Sequence, residues 1–116
     1  MTKMPDLQIL HKLSMSFDEV TEEAHFEKTS FRVKKKIFVT YDEKHHRACV
    51  KLTAGDQDIF SVSEGGAIYP VPNKWGQQGW TFVDLDTVKD ELLTAVVTTA
   101  YCTVAPKYLA DKYSTD

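Results

Sequence analysis

The clearest signal along the chain is a change in hydrophobic period. Residues 47–52 (Arg-Ala-Cys-Val-Lys-Leu) alternate, sending Ala48, Val50 and Leu52 to one face and Arg47, Cys49 and Lys51 to the other. That is the pattern of a half-buried strand. Further on, the apolar positions are Val88, Leu92, Leu93, Val96, Val97, Ala100, Tyr101 and Val104, which advance by fours, ones and threes. These steps draw a broad stripe along a long helix, and a stripe that wide predicts a sheet for it to lie on. Asp86 is placed to cap this helix, with Asp90 and Glu91 in its early turns where the dipole favours negative charge. Pro106 stops it and leaves residues 107–109 for one further turn.

The other elements are read between these two. Pro5 and Asp6 precede Leu7, Leu10 and Leu13, a one-sided spacing that predicts a short first helix reaching toward Met15 and Phe17. Asp18, Glu19, Glu22 and Glu23 form an acidic segment before the first strand signal. Residues 31–33 and 37–41 flank Lys34-Lys35-Lys36, which predicts a hairpin with a basic tip, and a polar turn over 42–46 leads into the alternating strand. A middle helix is expected from about Thr53 through Phe60, ended by Gly65-Gly66. Residues 67–72 have strand composition, but Pro70 and Pro72 cannot donate to a ladder, so this is an edge or irregular strand. Residues 74–79 read as a loop and 80–85 as the last strand. The order predicts one α+β domain over residues 1–116, an antiparallel sheet with helices packed on one face.

Composition narrows the function classes. With 116 residues, 42% of them hydrophobic, and six Phe, five Tyr and two Trp, the chain has material for one core. Its 17 acidic against 14 basic residues, a net charge of −3, exclude a strongly cationic histone-like binder and leave room for a local basic patch. No apolar run nears the ~20 residues of a membrane span, and the first residues lack the pattern of a secretory signal. A cytoplasmic monomer without membrane association is the expectation. Cys49 and Cys102 are too far apart in sequence for a CxxC pair or a zinc knuckle, so free, partly buried thiols are expected. His45 and His46 are adjacent and, on a strand, point to opposite faces, while His11 and His25 lie elsewhere. No metal site and no cofactor follow from them. Ser14, Ser61 and Ser63 lack a nucleophile elbow, so the sequence names no catalytic residue and points away from an enzyme.

What remains is a basic and aromatic surface. Lys34, Lys35 and Lys36 stand at the hairpin tip, and Arg47 and Lys51 point away from the core on the alternating strand. If Val83 and Leu85 meet the long helix, Trp80 and Phe82 lie on the open side with Arg47 and Lys51. Cations matched to phosphates and rings able to stack on unpaired bases are the two ingredients of weak nucleic-acid binding. The long helix, with Lys89, two acids and then apolar or Thr positions, makes a poor recognition helix, so any DNA binding should be nearly sequence-blind. The competing reading makes Trp80 and Phe82 a second small core under residues 74–76, with the lysines a solvated face. An alternative function uses residues 73–80, where Lys74, Trp75, Gln77 and Trp80 clamp a small ligand or a protein partner.

Three stretches carry a family resemblance: FDEVTEEAHFEKTSFRVKKKIFV (17–39), GWTFVDLDTVKDEL (79–92) and VAPKYL (104–109). In order and spacing they resemble the MmcQ/YjbR family of small bacterial proteins over residues 17–109. The resemblance implies a CyaY/YjbR-like fold similar to frataxin, and the family's usual description as a DNA-binding protein with paired wing-like hairpins. Family members commonly place a glycine in the first hairpin turn, where this chain has Lys35. Frataxin-type iron binding does not follow, because no dense carboxylate ridge along the first helix accompanies Asp18, Glu19, Glu22 and Glu23.

Overall fold

Six strands, β1 (Val20–His25), β2 (Lys28–Val33), β3 (Lys36–Asp42), β4 (Arg47–Lys51), β5 (Ile68–Pro70) and β6 (Trp80–Asp84), form one antiparallel sheet in the order β1-β2-β3-β4-β6-β5. Among the described residues, five α-helices accompany it: α1 (Leu7–Met15), α2 (Ala54–Ser61), α3 (Lys74–Gln77), α4 (Asp90–Val104) and α5 (Lys107–Ala110). This computed structural model describes residues 7–113, so the proposed helix start at Pro5 and Asp6 lies outside the described residues. No helix among the described residues is long and apolar enough to cross a membrane.

The pleat sorts the residues into two faces. Phe31 pairs with Val39, Val39 with Val50, Tyr41 with Ala48, and Ala48 with Val83, so these side chains share one face and are buried there. α4 lies across β3 and β4 on that face, burying Leu93, Val96, Val97, Ala100 and Tyr101. Each large side chain buried in this way contributes about 1.5–3 kcal/mol. α1 packs on β1, and α2 packs on β5 at the other end. Gln57 of α2 bonds Thr81 Oγ1 at 3.1 Å, which places α2 on the Val83 side as well. The fold is therefore α+β, with α1, α2 and α4 on one side of an antiparallel sheet.

A bulge between Phe31 and Arg32 refines this division. Phe31 faces Val39 but Arg32 faces Ile37, so Phe38 has no cross-strand partner. The extra residue lets Phe38 and Val39 both enter the core, while Ile37 and Thr40 go to the opposite face. Phe38 meets the ring of Tyr101 edge-on at 5.4 Å.

Several expectations need correction. The acidic segment ahead of the first expected strand is itself partly a strand: β1 holds Glu22 and Glu23 and pairs along its whole length with β2. The first helix ends at Met15, and Phe17 instead stacks on Tyr101 at 4.7 Å from a loop. α2 ends at Ser61, before the glycines, and the 3₁₀ turn Glu64–Gly66 follows it. Asp86 does not cap α4. The carboxylate of Asp84 accepts from the backbone N–H of Asp86 and the hydroxyl of Thr87, folding 85–87 into a turn, so α4 begins after Lys89. Asp86 meets His46 Nδ1 instead. Within residues 74–79, read as a loop, the chain makes the single turn α3.

Candidate functional site: the open face of the sheet

The face away from the helices carries His25, Lys28, Arg32, Ile37, Thr40, Arg47, Cys49, Lys51, Trp80 and Phe82 by the register of the pleat. Here a trough of about 280 Å³ crosses from the β1–β2 hairpin to α3, lined by His25, Lys28, Ile37, Thr40, Cys49, Val71, Trp75, Trp80 and Phe82. No residue of α1, α2 or α4 lines it. Trp80 and Phe82 are half-buried, and Trp75, 56% exposed, stands beside them. The outcome lies between the two readings of these rings: Trp75 flanks them and Arg47 and Tyr69 pack on Phe82, yet Trp80 and Phe82 both keep part of their surface open to solvent.

Cations sit on the rings. The Arg47 guanidinium lies 3.7 Å from the Phe82 centroid, and Lys51 Nζ lies 5.5 Å from that of Trp80. The buried Arg47 Nε has no hydrogen-bond partner among the described residues. Lys51 also donates to the backbone carbonyl of Gln78. Beside Trp80 a second cleft gathers Arg32, Lys35, Lys36 and Lys51, with Thr103 and Val104 from the end of α4. Arg47 stands apart from this group, about 13 Å along β4 from Lys51 at strand rise.

Lys34 is not among them. Its ammonium forms a 2.6 Å ion pair with Glu19 and lies 5.8 Å from the Tyr108 ring, beside α5. The hydrogen bond to Glu19 raises its pKa above the ordinary lysine value. Lys34 and Lys35 both adopt positive φ, 50° and 70°, the signature of a type I′ turn built here without glycine. The two successive left-handed residues direct the neighbouring lysines differently.

The aromatic turn is anchored from beneath. Gln57 is buried, and the two hydrogens of its Nε2 are shared among three acceptors within reach, Gly76 O at 2.9 Å, Trp80 O at 3.2 Å and Thr81 Oγ1 at 3.1 Å. Asn73 caps α3 by accepting from the N–H of Trp75 at 2.9 Å. Gly76 and Gly79 permit the close approach: a Cβ would fall 1.9 Å from Val71 O at the first and 1.9 Å from Leu52 O at the second. Trp75 is thus mounted on a fixed turn. Lys74 and Gln77 are exposed on the same turn and are not among the residues lining the trough.

Arg32, Lys28 and Gln57 were absent from the sequence reading. Arg32 was available from the alternation of Phe31, Arg32 and Val33. Lys28 was not, because it depends on β1 and β2 forming a hairpin. Gln57 reads as the solvent face of a short helix, and only its three acceptors reveal it as buried.

The acidic segment is consumed by the fold. Asp18 pairs with Lys112 at 2.6 Å, Glu19 with Lys34, Glu22 with His11 at 3.3 Å and Glu23 with Arg32 at 3.9 Å. The hydrogen bond from Lys112 holds Asp18 below the usual carboxylate range. No cluster of three metal-ligating side chains occurs among the described residues. Cys49, on the trough floor, has its thiol pushed up to about 11 by burial, so it stays protonated and unreactive at neutral pH. Both cysteines are free and half-buried.

A family model described as YjbR matches residues 15–103. Among solved structures, the crystal structure of the Deinococcus radiodurans protein DR2400, described as having a DUF419 domain, aligns with a TM-score of 0.77. It covers 97% of this chain and 90% of that one at 20% identity, a likeness of fold. Comparison with curated proteins gave no match.

Proposed function

The chain belongs to the YjbR family, and from the basic cleft where its open sheet face meets the end of α4 we propose that it binds nucleic acid weakly and with little regard to sequence. The observation that carries this reading is the gathering of Arg32, Lys35, Lys36 and Lys51 around Trp80 in one cleft. Four cations in an array suit the repeating charge of a phosphodiester backbone, and counterion release supplies the free energy. A net charge of −3 keeps the affinity low, and the scarcity of basic side chains on α4 supports sequence-blind contact.

The test is retention of DNA as a function of salt. Four phosphate contacts predict a log–log slope of about −3 to −4, so binding seen at low salt is largely lost at physiological salt. The double variant Lys35→Glu/Lys36→Glu should abolish low-salt retention while circular dichroism stays unchanged. Lys34 is left intact because it holds Glu19. Retention indifferent to both substitutions rejects the cleft.

A second reading draws on the trough itself. Its aromatic walls of Trp75, Trp80 and Phe82 favour a small planar ligand, and a metabolite that quenches tryptophan emission where DNA does not would select it.

A further inference from the structure

The trough and the cation cleft meet at Trp80, which lines both. We infer that the trough is a slot for one unpaired base of a single-stranded nucleic acid, with its flanking phosphates held at the two ends; this rests on the nucleic-acid reading above. Size is the first argument. At about 280 Å³ the space falls just under the roughly 300–1,000 Å³ of sites for drug-sized molecules. One ring system fits between the walls.

Charge is the second. Lys28 stands at one end of the trough. Lys51, at the far end of its strand, stands at the other with Arg32, Lys35 and Lys36. The carboxylates of this face have their own partners, Glu23 in Arg32, Asp42 in the His45 ring, and Asp84 in Thr87 and the N–H of Asp86, and none of the three lines the trough or the cleft. Lysine and arginine without any carboxylate therefore line both sides of an apolar slot, which suits anions at its two ends. A base within a strand carries a phosphate on each side, whereas a free mononucleotide carries phosphate on one.

Access is the third. Trp80 and Phe82 are recessed, so a ring reaches them only when it leaves its own stack. A base of a single strand does this readily, and a base inside a duplex does not. Arg47 already covers one side of Phe82, and guanidinium planes also accept bases. Lys51 has only to move from the Trp80 ring to the neighbouring phosphate.

The chain has two tryptophans, Trp75 and Trp80, and both line the trough, so intrinsic fluorescence reports its occupancy directly. The probes are oligo(dT), an abasic oligodeoxynucleotide of the same length, a duplex, and thymidine monophosphate, all at low salt. Oligo(dT) should quench the emission. The abasic strand should be retained without quenching, and the duplex should bind without quenching. Trp75→Ala, at an exposed position, should weaken oligo(dT) about fivefold or more and leave the abasic strand unaffected. Equal affinity and equal emission for the abasic strand and oligo(dT) would overturn the slot and leave the nucleic-acid reading standing. Failure of every polymer to bind would overturn both. Quenching by the mononucleotide as strong as by the strand would overturn the assignment to a strand and identify a small-ligand pocket.

Discussion

Two groups of aromatic rings lie on opposite faces of the same sheet, and they are held in opposite ways. On the helix side, Phe17, Phe38, Tyr101 and Tyr113 pack ring against ring, with centroids 4.7 to 6.3 Å apart. The two hydroxyls of this box grip one residue: Tyr101 Oη donates to Asp18 O at 2.7 Å, and Tyr113 Oη accepts from Asp18 N–H at 3.0 Å. On the open side, Phe82 lies between the Arg47 guanidinium and the Tyr69 ring, Trp80 has Lys51 for a neighbour, and Trp75 has solvent. The exposed Lys51 ammonium over the Trp80 ring is worth about 0.5–1 kcal/mol, little enough for an incoming ring to replace. Replacing a partner in the buried box would unpack the core. Rings buried by rings hold the fold together, whereas a ring faced by an exposed cation remains available for exchange.

The sharpest way to break this contrast is to truncate one ring from each group. Tyr101→Ala should cost about 3–5 kcal/mol, as for other large buried aromatics, read from the shift of the denaturant midpoint. Trp75→Ala should change stability by no more than about 0.5 kcal/mol. Comparable losses would mean that the open face is a second core. A pH titration sharpens the same point. Burial pushes the Tyr101 phenol up to about 12, against about 10 in an unfolded chain. The folded state therefore binds this proton more tightly, so its contribution is fully present below pH 10 and is lost as pH rises from about 10 to about 12. Tyr101→Phe should lower stability at neutral pH and flatten that alkaline limb. An alkaline limb identical in the two proteins would deny Tyr101 the role.

The contrast also explains what the sequence disclosed. β4 and β6 were legible because each divides cleanly, Ala48 and Val50 or Val83 to the core, Arg47 and Lys51 or Trp80 and Phe82 outward. α4 was legible because its stripe is broad. β1 was not: its inward positions are Val20, Glu22 and Ala24, and Glu22 is satisfied by His11 of α1, a partner no local pattern predicts. Without β1 the pairing of Glu19 with Lys34 was hidden too, and the hairpin tip looked like three equivalent lysines. Arg47, Lys51 and Trp80 were readable from the pleat alone. That Lys35 and Lys36 join Lys51, and that Gln57 lies beneath Trp80, depends on contacts between separate elements.

Removing the anchor under the aromatic turn has the next largest effect. Gln57→Leu keeps the volume but removes the side-chain donor shared by Gly76 O, Trp80 O and Thr81 Oγ1, of which the first two still accept from the N–H groups of Gly79 and Val71. Each of the two bonds its amide hydrogens make is worth about 0.5–1.5 kcal/mol. Because Trp75 rides on that turn, the loss should come with a changed tryptophan emission maximum. A stability loss with unaltered emission would show that Gln57 braces α2 alone and that the open-face rings are positioned by other means.

The smallest effect concerns the turn that separates Lys34 from Lys35. With φ at 70°, Lys35 occupies a left-handed conformation that costs a non-glycine residue about 1 kcal/mol or more, of which glycine's greater unfolded freedom cancels part. Lys35→Gly should therefore stabilise the protein by about 0.5 kcal/mol, while Lys35→Ala, which keeps the strain, should not. Both remove the same charge from the cleft, so both should lower the salt slope of nucleic-acid retention by about 1. The pair thus separates backbone strain from charge at one position. If Lys35→Gly gains stability and loses retention, the chain keeps a strained lysine where a relaxed glycine would serve the fold better, which is the mark of a residue held for its cation. If retention is unchanged in both, Lys35 belongs to the solvated surface, and the cleft around Trp80 contracts to Arg32, Lys36 and Lys51.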